Sequence, residues 1–437
     1  MFKGRRRIIV YGMLFLYWYI GFMDRVNIAI AAKPISAEFH LSPVSLGYLF
    51  SSFGWSYVVC LLPVGMLTDR FGARRIAAGA MGLWSIAQIC TGLTFGFTSI
   101  LIARLALGAG ESPANAVSTR VVGEWSPISE RGVAMAAFIV ASYAGIAFGA
   151  PFVAWLVSHY GWRPSFVVTG LMGMIWATVW LVFFRTPEKT TWVDPAERQM
   201  ILQERGATAE SFDDRDGFAG VLFLLKHRTI WGCFLTEGCI IYMLFLFSTW
   251  LPSYLQMTRG FSIMQAGIFT SIPYVVTVLL AIFFCRVSDW MLTPAAVKAG
   301  HRRIFVAGAM ILSSAVLGVQ FVHSLWAVMA LITVGLVFSA TAASTNFALL
   351  SDLLHAKSKT GKAFSFVAIG GNLFGLMAPI ITGYVLQKTG SFDMAFDVVG
   401  ILAIIGAVIV MTTTTHPVIE DQAPGFPLYS PVPKTGA

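Results

Sequence analysis

Apolar residues run along this chain in long blocks, broken by short clusters of charge, glycine and proline. A helix needs roughly 20 apolar residues to cross the hydrocarbon of a bilayer, and twelve blocks reach that length: 8–31, 44–67, 76–95, 98–119, 131–156, 164–185, 229–254, 262–285, 303–321, 325–351, 361–386 and 393–414. Residues 186–228 form the one long polar interval before the tail, with Glu188, Asp194, Glu197, Glu204, Glu210, Asp213, Asp214 and Asp216 among basic residues and a helical pattern from Pro195 to Arg205. The spacing predicts an amino-terminal six-helix unit over 1–185, a linker over 186–228, a second six-helix unit over 229–416 and a tail over 417–437. From about Gln422 the Pro-rich tail is expected to be disordered.

Composition fixes the solvent. With 57% hydrophobic and 12% charged residues, 437 residues cannot hide their apolar surface in a water-soluble core of ordinary proportions. The chain is expected to be an integral, multi-pass membrane protein whose partner is the lipid bilayer.

Lys and Arg set the orientation, because positive charge is retained on the cytoplasmic side. With the amino terminus inside, 24 of the 30 fall in inner loops and tails and four in outer loops, leaving Arg25 and Arg104 within the membrane. Both termini are therefore expected in the cytoplasm, and the net charge of +9 follows from topology and calls for no nucleic acid. A signal peptide would account for Lys3, Arg5, Arg6, Arg7 and the apolar stretch to Ala29 and Ala31, but it leaves eleven further helices unexplained. The five cysteines, Cys60, Cys90, Cys233, Cys239 and Cys285, lie in apolar blocks with no metal-ligand spacing and read as packing residues.

The chemistry lies in charges at bilayer depth. Such groups cost several kcal/mol unless they face a protein interior or a watery cavity, so they mark pathways for ions or substrates. Asp24 and Arg25 sit in the first block, Arg104 and Glu111 in the fourth, and Glu237 in the seventh. Arg104, Gly108, Glu111 and Asn115 recur at helical intervals, so a guanidinium, a gap, a carboxyl and an amide share one face. Asp24 and Arg25 point about 100° apart and each needs a partner elsewhere. Either arginine can hold a carboxylate through its planar fork, and Asp24 and Glu111 are candidate proton carriers. The alternative is that Asp24, Arg104 and Glu111 form a static network joining helices. Glu237 can contact substrate or take a second proton; the favoured reading places it near the cytoplasmic end, where water reaches it. Tyr57, Tyr143, Trp250, Asn346 and Asn372 are cavity candidates, and Asp352 a boundary residue. No nucleotide-binding glycine loop, zinc-type histidine pair or serine nucleophile motif appears, so no catalytic residue, metal or cofactor is expected.

A weak internal repeat supports two halves. Gly65-Met66-Leu67-Thr68-Asp69-Arg70-Phe71-Gly72-Ala73-Arg74-Arg75 follows the second block, and Arg286-Val287-Ser288-Asp289-Trp290, with Arg302-Arg303 beyond, follows the eighth. The first copy resembles the loop signature of the major facilitator superfamily. Gly65, Asp69, Arg70 and Arg74 then read as gating residues, the glycine permitting close helix approach.

A closer resemblance covers nearly the whole chain. Phe22 to Asn27, Ser51 to Tyr57, Arg104 through Glu111-Ser112-Pro113, Glu130-Arg131-Gly132, Gly161-Trp162-Arg163, Thr249 to Leu255, Gly370-Gly371-Asn372, Pro379 and Gly383-Tyr384 are similar to the anion:cation symporter branch of that superfamily. The resemblance implies an all-α fold of twelve transmembrane helices in two pseudo-symmetric six-helix bundles. It also implies import of a small organic carboxylate with the proton as coupling ion and no cofactor, the acids matching Asp24 and Glu111 carrying protons and the matching arginines lining the site. A bacterial inner membrane is the expected home. Three positions depart from the sugar acid pattern: Phe22 where tyrosine is common, and Leu61 and Ser142 where glutamine is. Fewer hydroxyl-binding groups favour a less hydroxylated acid, aromatic or a short dicarboxylate. Gly145, Gly149 and Pro151 partly echo the pattern of antiporters, so proton-driven export of amphiphiles is the alternative, and a transporter-like nutrient sensor is another.

Overall fold

The computed structural model describes residues 6–127, 130–190, 192–205, 217–293, 301–355 and 359–419. Twelve long helical elements account for the apolar blocks. In the first half these are α1 (Ile8–Ile30), α2 (Pro43–Phe71), α3 (Ala73–Gly92), α4 (Phe97–Glu111, resumed over Ala114–Trp125), α5 (Arg131–Tyr160) and α6 (Trp162–Phe183). The second half holds α7 (Arg228–Met257), α8 (Ile263–Met291), α9 (Arg302–Ser313, continued as a 3-10 turn over Ser314–Phe321), α10 (Leu325–Leu353), α11 (Thr360–Thr389) and α12 (Asp393–Thr413).

Among the described residues, nine of these are long and apolar enough to cross a membrane by composition alone. Of the other three, α1 and α3 carry Asp24 with Arg25 or the Arg74 and Arg75 pair, so charge dilutes their apolarity, and α4 is cut to 15 residues by the break after Glu111. Two blocks expected to be continuous are interrupted. The fourth turns at Ser112 and Pro113, where proline cannot donate a backbone hydrogen bond, so Asn115 belongs to the segment after the break. The ninth tightens into 3-10 geometry at Ser314.

Within the first half α1 packs on α5, α3 on α6, and α4 on α2 and α3; within the second, α7 packs on α11 and α12, and α10 on α8 and α9. The halves meet along α2 with α11, α5 with α8 and α1 with α7. At one end the fit is backbone-close. A Cβ on Gly47 would lie 2.5 Å from the Pro379 carbonyl, and one on Gly383 2.6 Å from the Pro43 carbonyl. Ser51 Oγ donates to the Leu376 carbonyl at 2.6 Å, and the Tyr48 and Tyr384 hydroxyls lie 3.2 Å apart. Toward the other end of α2 and α11, a Cβ on Gly65 or Gly361 would meet open space. The seam is thus closed at the Pro43 end, and the close approach expected at Gly65 is not made.

The linker's expected helix forms over Pro195–Arg205 and docks on the first half. Trp192 stacks on Trp125 with ring centroids 5.6 Å apart, and Arg7 bonds both Glu130, at 2.7 and 2.9 Å, and Glu197, at 2.9 Å. The predicted disordered tail lies almost wholly outside the described residues.

Candidate functional site

Bringing α1 against α4 settles the partners that periodicity left open. Arg25 on α1 reaches Glu111 on α4, with Nη2 and Nε at 2.6 and 2.9 Å from the same oxygen, Oε2. Glu111 is 1% exposed and its Oε1 has no partner. The guanidinium also lies 4.5 Å from the Phe22 ring centroid and 4.8 Å from that of Phe53, faces that favour a cation. Arg104, on the same stripe of α4 as Glu111, makes no ion pair with it. It is buried, its Nε and Nη1 have no partner, and it sits over the other side of the site at 5.4 Å from the Phe53 centroid. The ion pair is therefore Arg25 with Glu111, and the alternative of an ion-pair network through Arg104 is not the arrangement seen. Gly108 is indeed a gap in the stripe, where a Cβ would collide with the Phe53 carbonyl of α2.

Asp24 is wholly buried. Its Oδ2 accepts from Trp84 Nε1 on α3 at 3.1 Å and its Oδ1 has no partner. Sequence reasoning missed Trp84, which carries no charge and falls in a plain apolar block. Tyr57 is buried, and its hydroxyl accepts from Asn115 Nδ2 at 2.9 Å, so these two candidates come together across α2 and α4.

A cavity of about 60 Å³ lies between the halves, where Arg25, Arg104 and Phe53 face Phe245, Ser248 and Thr249 of α7. A water needs on the order of 10–15 Å³ of such volume, so the space admits a few waters and must widen to take an organic anion.

Other candidates fall elsewhere. Glu237 on α7 is 2% exposed and accepts from Asn346 Nδ2 of α10 at 2.9 Å. The expected water-reachable position is corrected: the helix carries this carboxyl into packing against α10 and α11 instead of its open end. Asn372 donates to its own helix at the Ala368 carbonyl, 2.9 Å, and does not line the cavity. Arg70 lies over Phe71 at 5.4 Å, Arg74 donates to the Leu181 carbonyl of α6, and the Asp69 side chain lies outside the described residues. Asp352 accepts from Arg302 Nε at 2.7 Å, tying the end of α10 to the start of α9.

Two helical halves around a charged central cavity are a transporter's architecture, and the chain matches the Major Facilitator Superfamily over residues 9–297 and 291–434. The chain belongs to the Major Facilitator Superfamily. It is a membrane transporter and not an enzyme. Among this superfamily's curated members, the "Probable galactarate/D-glucarate transporter" of Bacillus subtilis (strain 168) is 32% identical over 416 residues, covering 92% of this chain and 90% of that protein. The "Probable sulfoacetate transporter" of Cupriavidus necator is 29% identical over 411 residues, covering 92% and 93%. Among solved structures, a bacterial homolog to the human lysosomal transporter Spinster, in an inward-facing and unoccupied conformation, superposes with a TM-score of 0.74 at 17% identity, over 93% of this chain and 97% of that one. That likeness establishes the superfamily fold for nearly the full length.

Proposed function

We propose that this transporter imports an organic acid anion together with protons by alternating access, across the inner membrane of a bacterium with both termini in the cytoplasm. The single observation that carries the reading is the presence of two guanidiniums, Arg25 and Arg104, in one cavity between the halves, with only one of them committed to an acid. The names of the curated relatives, both carriers of acidic solutes, support the substrate class. With the basic residues inside, the seam at the Pro43 end closes the outer side, so this conformation faces inward.

Arg104 presents uncommitted Nε and Nη1 donors to the cavity and receives the anion's head group. Protonation of Glu111 from the outer side removes the charge that holds Arg25 and frees its fork for the same ligand. Asp24 takes a proton in a site free of any cation contact. With both arginines on the anion, the halves rock about the glycine seams; inside, loss of the proton from Glu111 draws Arg25 back to it and releases the ligand. Gly65, Asp69, Arg70 and Arg74 gate the inner side.

The walls support a less hydroxylated substrate. Phe22, Phe50, Phe53 and Phe245 dominate the cavity, with Ser248 and Thr249 as the hydroxyls beside the arginines. A polyhydroxy chain would bring hydroxyls without partners, whereas an aromatic acid or a short dianion would not.

Purified protein in proteoliposomes tests this, with benzoate, succinate, sulfoacetate and D-glucarate offered with and without an inward proton gradient, beside Asp24→Asn and Glu111→Gln. Gradient-stimulated uptake lost in both variants is the expected result. D-glucarate taken up in preference to the others overturns the substrate class, and outward movement of an amphiphile with no anion uptake overturns import.

A further inference from the structure

The face of α7 that lines the cavity with Phe245, Ser248 and Thr249 continues toward the helix end at Met257 and reaches Gln256. A helix turns about 100° and rises about 1.5 Å per residue, so Gln256 points within about 20° of Thr249 and lies about 10 Å beyond it. It is 2% exposed, and neither its Nε2 nor its Oε1 has a partner. Exchanging the two amide atoms changes nothing, since both are unmet. Four amide side chains are buried among the described residues, and the other three are bonded: Asn27 and Gln88 to Thr169, and Asn346 to Glu237 and the Cys233 carbonyl. Ser253 Oγ, one turn before Gln256, is likewise buried and unmet. The cation that follows α7, Arg259, is turned to the Tyr254 hydroxyl at 3.2 Å and the His323 carbonyl at 3.0 Å. α7 packs on α1 and on the short helix Ala32–Phe39 after it, and Tyr254 and Leu255 share one apolar cluster with Ile30, Ala31, Ile35 and Leu46.

An amide stranded in this way carries the full desolvation cost of a donor and an acceptor, which leucine or methionine in the same place would not. We propose that Gln256 is a bias built into the outer gate: its amide destabilises the closed seam, is hydrated when the halves part at the Pro43 end, and so returns the empty carrier to the outward-open conformation. The inference rests on the alternating-access reading and the orientation given above. An importer that has released its cargo inside must face outward again before it can load, and a closed outer end built only of well-packed apolar residues would resist that step. The glycine contacts at Gly47 and Gly383 let the seam close, and Gln256 keeps the closure from being too stable. It does so two turns away from the arginines, so the balance between conformations is set apart from the hold on the anion.

Double electron-electron resonance between two nitroxides on the full chain in lipid nanodiscs, without substrate, reads that balance directly. The labels are carried by Lys33→Cys, in the short helix after α1, and Lys388→Cys, at the end of α11, both exposed and on opposite halves, in a background with the five native cysteines replaced. A short separation marks the closed outer end and a long one the open. Gln256→Leu and Gln256→Met remove both polar atoms at nearly constant volume, and each is expected to raise the ratio of closed to open about tenfold or more. An unchanged ratio in both folded variants overturns the proposal, as does a shift toward the open form or a single separation throughout. A raised ratio, in a protein whose unaltered form takes up no anion under a proton gradient, overturns the import reading and leaves the bias intact.

Discussion

Arg25 and Glu111 meet through one carboxylate oxygen: Oε2 takes both guanidinium contacts, and Oε1 is left buried and unpartnered. A fork that engages only half of a carboxylate is a bond poised to be exchanged, because a proton arriving on the idle oxygen weakens it without rearranging either helix. Glu111→Gln imitates the protonated state. We expect gradient-driven uptake to fall about tenfold or more, since a charge-assisted hydrogen bond is worth roughly 1.5–3 kcal/mol, while exchange of labelled for unlabelled anion at equal pH persists. Counterflow measured beside net uptake checks both halves of the statement.

Arg104 carries its charge in a buried place with two donors idle, an arrangement that favours ligand binding over stability. Arg104→Lys keeps the charge and loses the fork, so KM for the transported anion should rise about 10- to 100-fold. Arg104→Met should abolish uptake and raise the melting temperature. Transport kinetics and thermal unfolding of the same preparations decide it.

Gly47 and Gly383 permit backbone contact between α2 and α11 at the closed end. Valine at either position meets a carbonyl that has no rotamer to yield, so the seam cannot close and the cavity stays open to the outer side. In a background with the five native cysteines replaced, Thr249→Cys should react with an impermeant thiol reagent from the outside far faster when Gly47→Val is present, and uptake should fall to background.

Glu38, in the short helix Ala32–Phe39 after α1, bonds Arg163 at 2.7 Å and Trp162 Nε1 at 2.8 Å, and the Arg163 contact holds its carboxyl below the usual range. A carboxyl lowered on folding stabilises the fold above its unfolded value and ceases to do so as pH falls through the folded one. Glu38→Gln should therefore melt slightly earlier than the unaltered protein at about pH 7, with the difference narrowing as the pH is brought down to about 3. Paired melting curves at the two pH values test the sign.

Much of this was legible in the residues. The apolar blocks placed the twelve long helical elements, and the four-three spacing put Arg104 and Glu111 on one face of α4. Periodicity fixes a face, not a partner, so it did not say that Glu111 turns to Arg25. Pro113 announced the break in α4 inside a block read as continuous. Glu237 looked reachable by water from its place in sequence, but Asn346, more than a hundred residues away, closes on it. Gly65 drew notice through its motif, while of the two glycines that make the contacts Gly383 stood out only within the family resemblance and Gly47 carries no signature beyond being glycine. Trp84 was invisible for the same reason: a neutral side chain acquires meaning only through what the fold brings beside it.

The seam joining the halves at the Pro43 end is built of glycines, hydroxyls and aromatic rings, while the guanidiniums lie in the cavity with a different set of neighbours. On the proposed reading, cargo and motion are thereby written on separate residues. A lineage can exchange Ser248 or Thr249 for other side chains and acquire a new diet with the seam untouched, whereas a change at the backbone-close glycines of the seam bears on motion itself. Diversification of such carriers then runs through the cavity wall, where a substitution leaves the closing seam intact.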